Sequence, residues 1–137
     1  MNESRAWQEQ LLATKFFVPA FSHTMVSRPR LTSLLDRGLQ YKLTLLSAPA
    51  GFGKTTLMSD WVHLKSFANT PIAWVSLEEG DNDPVRFWTY VLTSLDTTYQ
   101  GIAQEALTSL RTPQGSPIQF ILTTLINRRR LTKPYNC

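Results

Sequence analysis

The chain has 137 residues, 42% hydrophobic and 18% charged, which is the make-up of an ordinary globular protein of about one domain. Four Trp, four Tyr and seven Phe exclude disorder over most of its length. The net charge of +4 comes entirely from Arg128, Arg129, Arg130 and Lys133, because residues 1–127 carry ten basic and ten acidic side chains. A basic nucleic-acid-binding face is therefore not expected on the folded part.

The lone Cys137 excludes an intrachain disulfide. With no signal peptide legible, a reducing, cytoplasmic location is expected. No run approaches the roughly 18 apolar residues of a membrane span, so no membrane partner is expected.

In chain order, residues 1–26 read as an N-terminal arm. It is polar at first, then apolar and extended from Lys15 to Phe21, where Pro19 disfavours both helix interior and central strand. Ser27 is a candidate cap for a helix with Pro29 in its first turn, Leu31, Leu34 and Leu35 on one face, and Gly38 as its stop. Arg28 and Arg30 oppose the helix dipole at that end, and they face either an anion or solvent. Lys42–Ser47 is a short apolar run that predicts a buried strand.

The next segment is Ala48-Pro49-Ala50-Gly51-Phe52-Gly53-Lys54-Thr55, followed by Thr56. It matches the phosphate-binding pattern G-x-x-x-x-G-K-[ST] except that Ala48 stands at the first Gly. The chemistry of such a loop is geometric. Gly51 and Gly53 admit backbone angles that turn successive N–H groups inward to cradle phosphate oxygens. Lys54 adds an ammonium at the β/γ-phosphates, and the Thr55 hydroxyl offers a ligand to Mg²⁺. The helix expected from about residue 54 to 66 contributes the positive end of its dipole.

Asn69-Thr70-Pro71 breaks the chain, and Ile72–Leu77 reads as a second buried strand. Strand, helix and strand in this order predict a βαβ unit with a parallel sheet. Glu78, Glu79, Asp81 and Asp83 then crowd into six residues. Either Asp83 caps a helix opened by Pro84 and the rest are solvated, or Glu78 or Glu79 reaches a Mg²⁺ shell. Amphipathic patterns predict helices to about residue 98, over 102–110, and from Ser116–Pro117 onward, the last pattern stopping after Asn127.

Arg28–Leu31, the loop Ser47–Leu57, and Trp74-Val-Ser-Leu-Glu-Glu-Gly-Asp-Asn-Asp-Pro-Val-Arg-Phe-Trp88 together resemble the N-terminus of MalT-like transcription activators. These are large ATP-binding members of the LuxR regulator family within the signal-transduction (STAND) ATPases. The resemblance spans residues 12–127. It implies an ATP- or ADP-switched regulator that self-associates when ATP-bound and reads DNA through a C-terminal helix-turn-helix outside this chain. It also implies that Ala48–Thr55 bind the nucleotide, with Lys54 on phosphate and Thr55 on Mg²⁺, and that Arg28 lies near the nucleotide.

The expected fold class is thus α/β: a partial P-loop NTPase fold, three-layer αβα with a parallel sheet, truncated after the second strand and its following helices. Residues 27–127 would form that nucleotide-binding part, and 128–137 a basic, disordered or non-native tail. No catalytic residue is assigned, because no apolar strand ending in an Mg²⁺-binding Asp is present. The alternatives are a small phosphotransferase of the nucleoside- or shikimate-kinase type, or an inactive truncated fragment.

Overall fold

A computed structural model describes residues 11–20, 28–65, 71–112 and 118–132. The chain divides into two compact units, one formed by residues 1–17 and 71–137, the other by residues 18–70. Five α-helices occur among the described residues: α1 Pro29–Gly38, α2 Lys54–Lys65, α3 Pro84–Thr98, α4 Gln104–Leu110 and α5 Ile118–Thr132. Two 3₁₀ turns, Ala13–Phe16 and Glu79–Asp81, complete the regular structure.

The expected α/β sheet is corrected here, since the described residues contain helices and turns but no β-strand. Both runs read as strands are extended, yet neither is in a ladder. A strand exists only when a neighbouring backbone supplies its hydrogen bonds, and an apolar run cannot reveal whether that neighbour is there. In residues 72–76 other donors take over. The Trp74 carbonyl accepts from Ser94 Oγ at 2.8 Å, and the Ile72 carbonyl lies 3.4 Å from Thr98 Oγ1, whose proton has a nearer acceptor in the Ser94 carbonyl at 2.9 Å. Ser76 N donates to the Lys15 carbonyl at 2.9 Å. In the other run, Leu43 and Leu45 are more than four-fifths exposed, and only Leu46 reaches a core.

In the unit of residues 18–70, α1 forms because Pro29 pre-sets its first turn and leucines recur at helical spacing. Leu35 packs on Leu57 and Trp61 of α2, with Leu31, Met58 and Val62 around them, while Leu34 faces water. Asp36 locks the two helices. It accepts from Trp61 Nε1 at 2.8 Å and pairs with Lys65 at 2.6 Å, which together hold its carboxyl below the usual carboxylate range. At the end of α1 the Gly38 carbonyl accepts from Thr44 Oγ1, and a methyl on Gly38 would stand 2.6 Å from that same oxygen.

In the other unit, α3, α4 and α5 close a core of Leu92, Ala103, Ala106, Leu107 and Ile121. Asp83 caps α3 by accepting from Arg86 N at 2.8 Å, with Pro84 at the first helical position as the sequence predicts. Gly101, at φ 81°, turns the chain between α3 and α4, and Asp96 accepts from Ala103 N at 2.9 Å to fix the start of α4. Helix α5 continues to Thr132, past Asn127 where the apolar pattern stops. The expected Ser27 cap and the stretch 133–137 of the expected tail lie outside the described residues.

Leu92 is fully buried in the three-helix core. Leu92→Ala removes its methyl groups and leaves a cavity, so a loss of about 2–5 kcal/mol is expected in urea unfolding. A loss below 0.5 kcal/mol would mean that this core does not carry the unit.

Candidate functional site

The glycine loop leads from the exposed extended run into α2. Gly51 sits at φ 81° and Gly53 at φ 75°, left-handed angles that any residue with a Cβ adopts only at a cost. A turn over residues 49–52, which contains Gly51, is closed by Phe52 N donating to the Pro49 carbonyl at 3.4 Å. The Gly53 carbonyl accepts the first helical bond, from Leu57 N at 2.9 Å, so Gly53 ends the loop and opens the helix. The free amides at the start of α2 therefore face the loop, and no acidic side chain lies in the first turn of the helix to neutralise them.

Two cations converge on this point. Lys54 curls back so that its Nζ donates to the carbonyls of Ala48 and, at 3.1 Å, Pro49. Arg28, just ahead of α1, brings its guanidinium over Gly53: a methyl added there would stand 3.9 Å from Nη1 and 4.0 Å from Nη2. Space beside Gly51 is open, with nothing within 4 Å of an added methyl. Phe52 projects into solvent, Thr55 is exposed, and Thr56 is half-buried on the first turn of the helix.

The structure thus brings Ala48 to Thr56 into one curl and places Arg28 against it. It sets the Lys54 ammonium on loop carbonyls, so that the amine stitches the loop closed. Chemically, the curl offers glycine amides, a helix N-terminus and two cations within one small surface, a set suited to a polyanion.

The acidic segment is organised differently from a metal site. Asp81 is 3% exposed and Lys15 4% exposed, and they pair at 2.5 Å. Asp81 also accepts from Glu78 N at 2.8 Å and Arg86 Nε at 3.1 Å. The Lys15 ammonium lies 4.8 Å from the centroid of the fully buried Tyr90 ring, and Glu78 reaches it at 3.5 Å from a mostly exposed position. The hydrogen bond from Lys15 pulls the Asp81 carboxyl below the usual range, and Asp81 in turn raises the Lys15 ammonium above its ordinary value.

With Asp83 capping α3, two of the four carboxylates are committed to structure. Among the described residues no cluster of His, Cys, Asp and Glu is suited to hold a metal ion. Sequence reading treated Lys15 as the start of an apolar arm and missed its partner. The available signal was a lone lysine among Leu12, Ala13, Phe16 and Phe17, which needs an acid if the run is buried.

Asp81 contributes stability above the ordinary carboxylate pKa of about 4, and that contribution disappears as pH falls through its lowered value. Lys15 works with the opposite sign, its contribution being lost only as pH rises through its raised value. Asp81→Asn is expected to lower the melting temperature more at pH 7 than at pH 3, and more than Glu79→Gln does at pH 7. Equal losses at both pH values would show that the pair is not charged in the folded state.

Comparison with known proteins gives relatives but no structural precedent. The chain is 40% identical over 92 residues to the HTH-type transcriptional regulator MalT of Cronobacter sakazakii, a match covering 66% of this chain and 10% of that protein. It is 38% identical over 99 residues to MalT of Serratia proteamaculans, covering 71% of this chain and 10% of the relative. It is 31% identical over 115 residues to the serine/threonine-protein kinase PknK of Mycobacterium tuberculosis, covering 84% and 10%. The chain spans about a tenth of the length of these curated relatives. No family model matches it, and no solved structure matches it significantly.

Proposed function

We propose, starting from the similarity to MalT regulators, that this chain is the nucleotide-binding portion of a transcriptional regulator, holding the phosphate tail of ATP or ADP in the curl from Ala48 to Thr56. The observation that carries the reading is the meeting of Gly51 and Gly53 at positive φ, the N-terminus of α2, Lys54 and Arg28 around one surface. A helix N-terminus and two cations suit a di- or triphosphate far better than a neutral ligand.

The donor set also fits Mg²⁺ in the way that ion is usually held, with few protein ligands and most of its shell supplied by phosphate oxygens and water. Thr55 is the residue that would contribute a protein oxygen. Bound Mg²⁺ would neutralise phosphate charge. Lys54 would exchange the Ala48 and Pro49 carbonyls for phosphate oxygens, and Arg28 would cover the outer side of the loop. DNA reading would belong to a part of the whole regulator outside this chain, and self-association to the ATP-bound form of the whole regulator. No helix among the described residues is long and apolar enough to cross a membrane.

The test is titration of the full chain with fluorescent ADP and ATP in the presence of Mg²⁺. Lys54→Ala is expected to weaken binding at least tenfold while helix content by circular dichroism stays the same, and Arg28→Ala to weaken it several-fold. Nucleotide affinity that survives Lys54→Ala would remove the loop from the reading.

Gly53→Ala addresses the backbone separately. It is expected to cost about 1–2 kcal/mol of stability, because alanine resists φ 75°. An unchanged unfolding midpoint for this variant would contradict the left-handed turn.

A further inference from the structure

Within the unit formed by residues 1–17 and 71–137 lies a cavity of about 500 Å³, between the Glu79–Asp81 turn, the first turns of α3 and the C-terminal end of α4. Leu11, Val85 and Leu110 give it an apolar wall, while Arg86 and Arg111 bring positive charge. Its volume falls in the range of small-molecule sites, and apolar walls with a few fixed polar groups are their usual make-up.

The two arginines differ in a way that matters. Arg86 directs its Nε to the buried Asp81 carboxylate at 3.1 Å. Asp83, the acidic residue on the cavity wall, is occupied at least in part by capping α3 through Arg86 N. Thr89, also on the wall, already donates its hydroxyl proton to the Val85 carbonyl at 2.7 Å. Arg111, the residue after α4, lines the cavity and by contrast has no carboxylate partner among the described residues, although its Nε is itself enclosed by protein. A permanent cation without a counter-ion beside an apolar wall favours an anion there.

We propose that this cavity binds a small organic carboxylate with an apolar body, its carboxylate on Arg111 and its hydrocarbon against Leu11, Val85 and Leu110. The planar guanidinium fork matches a carboxylate in geometry as well as charge. A neutral molecule leaves the Arg111 charge without a counter-ion, and a dianion meets repulsion from Asp83. A single negative charge on a hydrocarbon body satisfies both walls. The site is separate from the glycine loop, which belongs to residues 18–70.

The experiment is isothermal titration of the full chain with hexanoate and with phenylacetate, using acetate and hexan-1-ol as controls. Saturable one-to-one binding of hexanoate or phenylacetate is expected, at least tenfold tighter than acetate or hexan-1-ol. Arg111→Gln is expected to weaken it tenfold or more. Val85→Trp, which fills the cavity from an exposed position at the start of α3, is expected to abolish it with helix content unchanged. Lys54→Ala is expected to leave it intact.

Absence of saturable binding overturns the proposal, as does hexanol binding equal to hexanoate. Acetate binding equal to hexanoate reduces the site to a surface anion contact and overturns it too. Loss on Lys54→Ala, or displacement by ADP, places the acid in the glycine loop and overturns the proposal without touching the nucleotide reading. Should Arg111→Gln lose helix content, Val85→Trp decides: retained affinity there sinks the proposal.

Discussion

A carbonyl taken out of water needs a donor, and in this protein side chains supply many of them where a sheet would otherwise do so. Ser94 on α3 serves Trp74, and Thr44 serves the more exposed Gly38. Ser59 serves Pro19 at 2.5 Å, and Lys54 serves Ala48 and Pro49. This constraint decides where the extended segments lie. Residues 72–76 lie along α3, where Ser94 Oγ donates to the Trp74 carbonyl and Thr98 Oγ1 approaches that of Ile72. The direction of that segment delivers the acidic turn to the start of α3.

The same constraint shapes the glycine loop. Lys54 gathers the carbonyls of Ala48 and Pro49, and Gly51 and Gly53 take the left-handed angles that bend the chain into the start of α2. Arg28 then stands over Gly53 with no Cβ between them. Each part is unremarkable alone: a lysine on a carbonyl, an arginine at a helix start, two glycines with positive φ. Together they concentrate positive potential at one helix N-terminus, and the proposed binding of a polyanion rests on this concentration.

The acidic segment teaches the contrary lesson. Four carboxylates in six residues suggest a cation, and the cation that Asp81 meets is Lys15 rather than a metal. Burial of both partners makes the pair demanding. Asp81 is held by three donors and Lys15 lies against the Tyr90 face, so neither charge is left without company. The arrangement ties residues 12–16, the Glu79–Asp81 turn and α3 together within one unit. Arg111 falls outside this circle of partners.

Local chemistry was legible in the residues themselves. Pro29 and Pro84 open helices, Asp83 caps one, Gly38 ends one, and the glycine loop precedes a helix that starts at Lys54, because each of these depends on atoms within a few positions along the chain. The similarity to MalT regulators was legible for the same reason, being carried by short contiguous runs. What the sequence could not decide was pairing across distance. Lys42–Ser47 and Ile72–Leu77 have the apolar character of buried strands, but strand formation belongs to a pair of segments, and in the folded chain hydroxyls, a single backbone bond and solvent take the partner's place. Lys15 with Asp81 was likewise fixed only by tertiary structure, since charge complementarity acts through space and leaves no mark on sequence spacing.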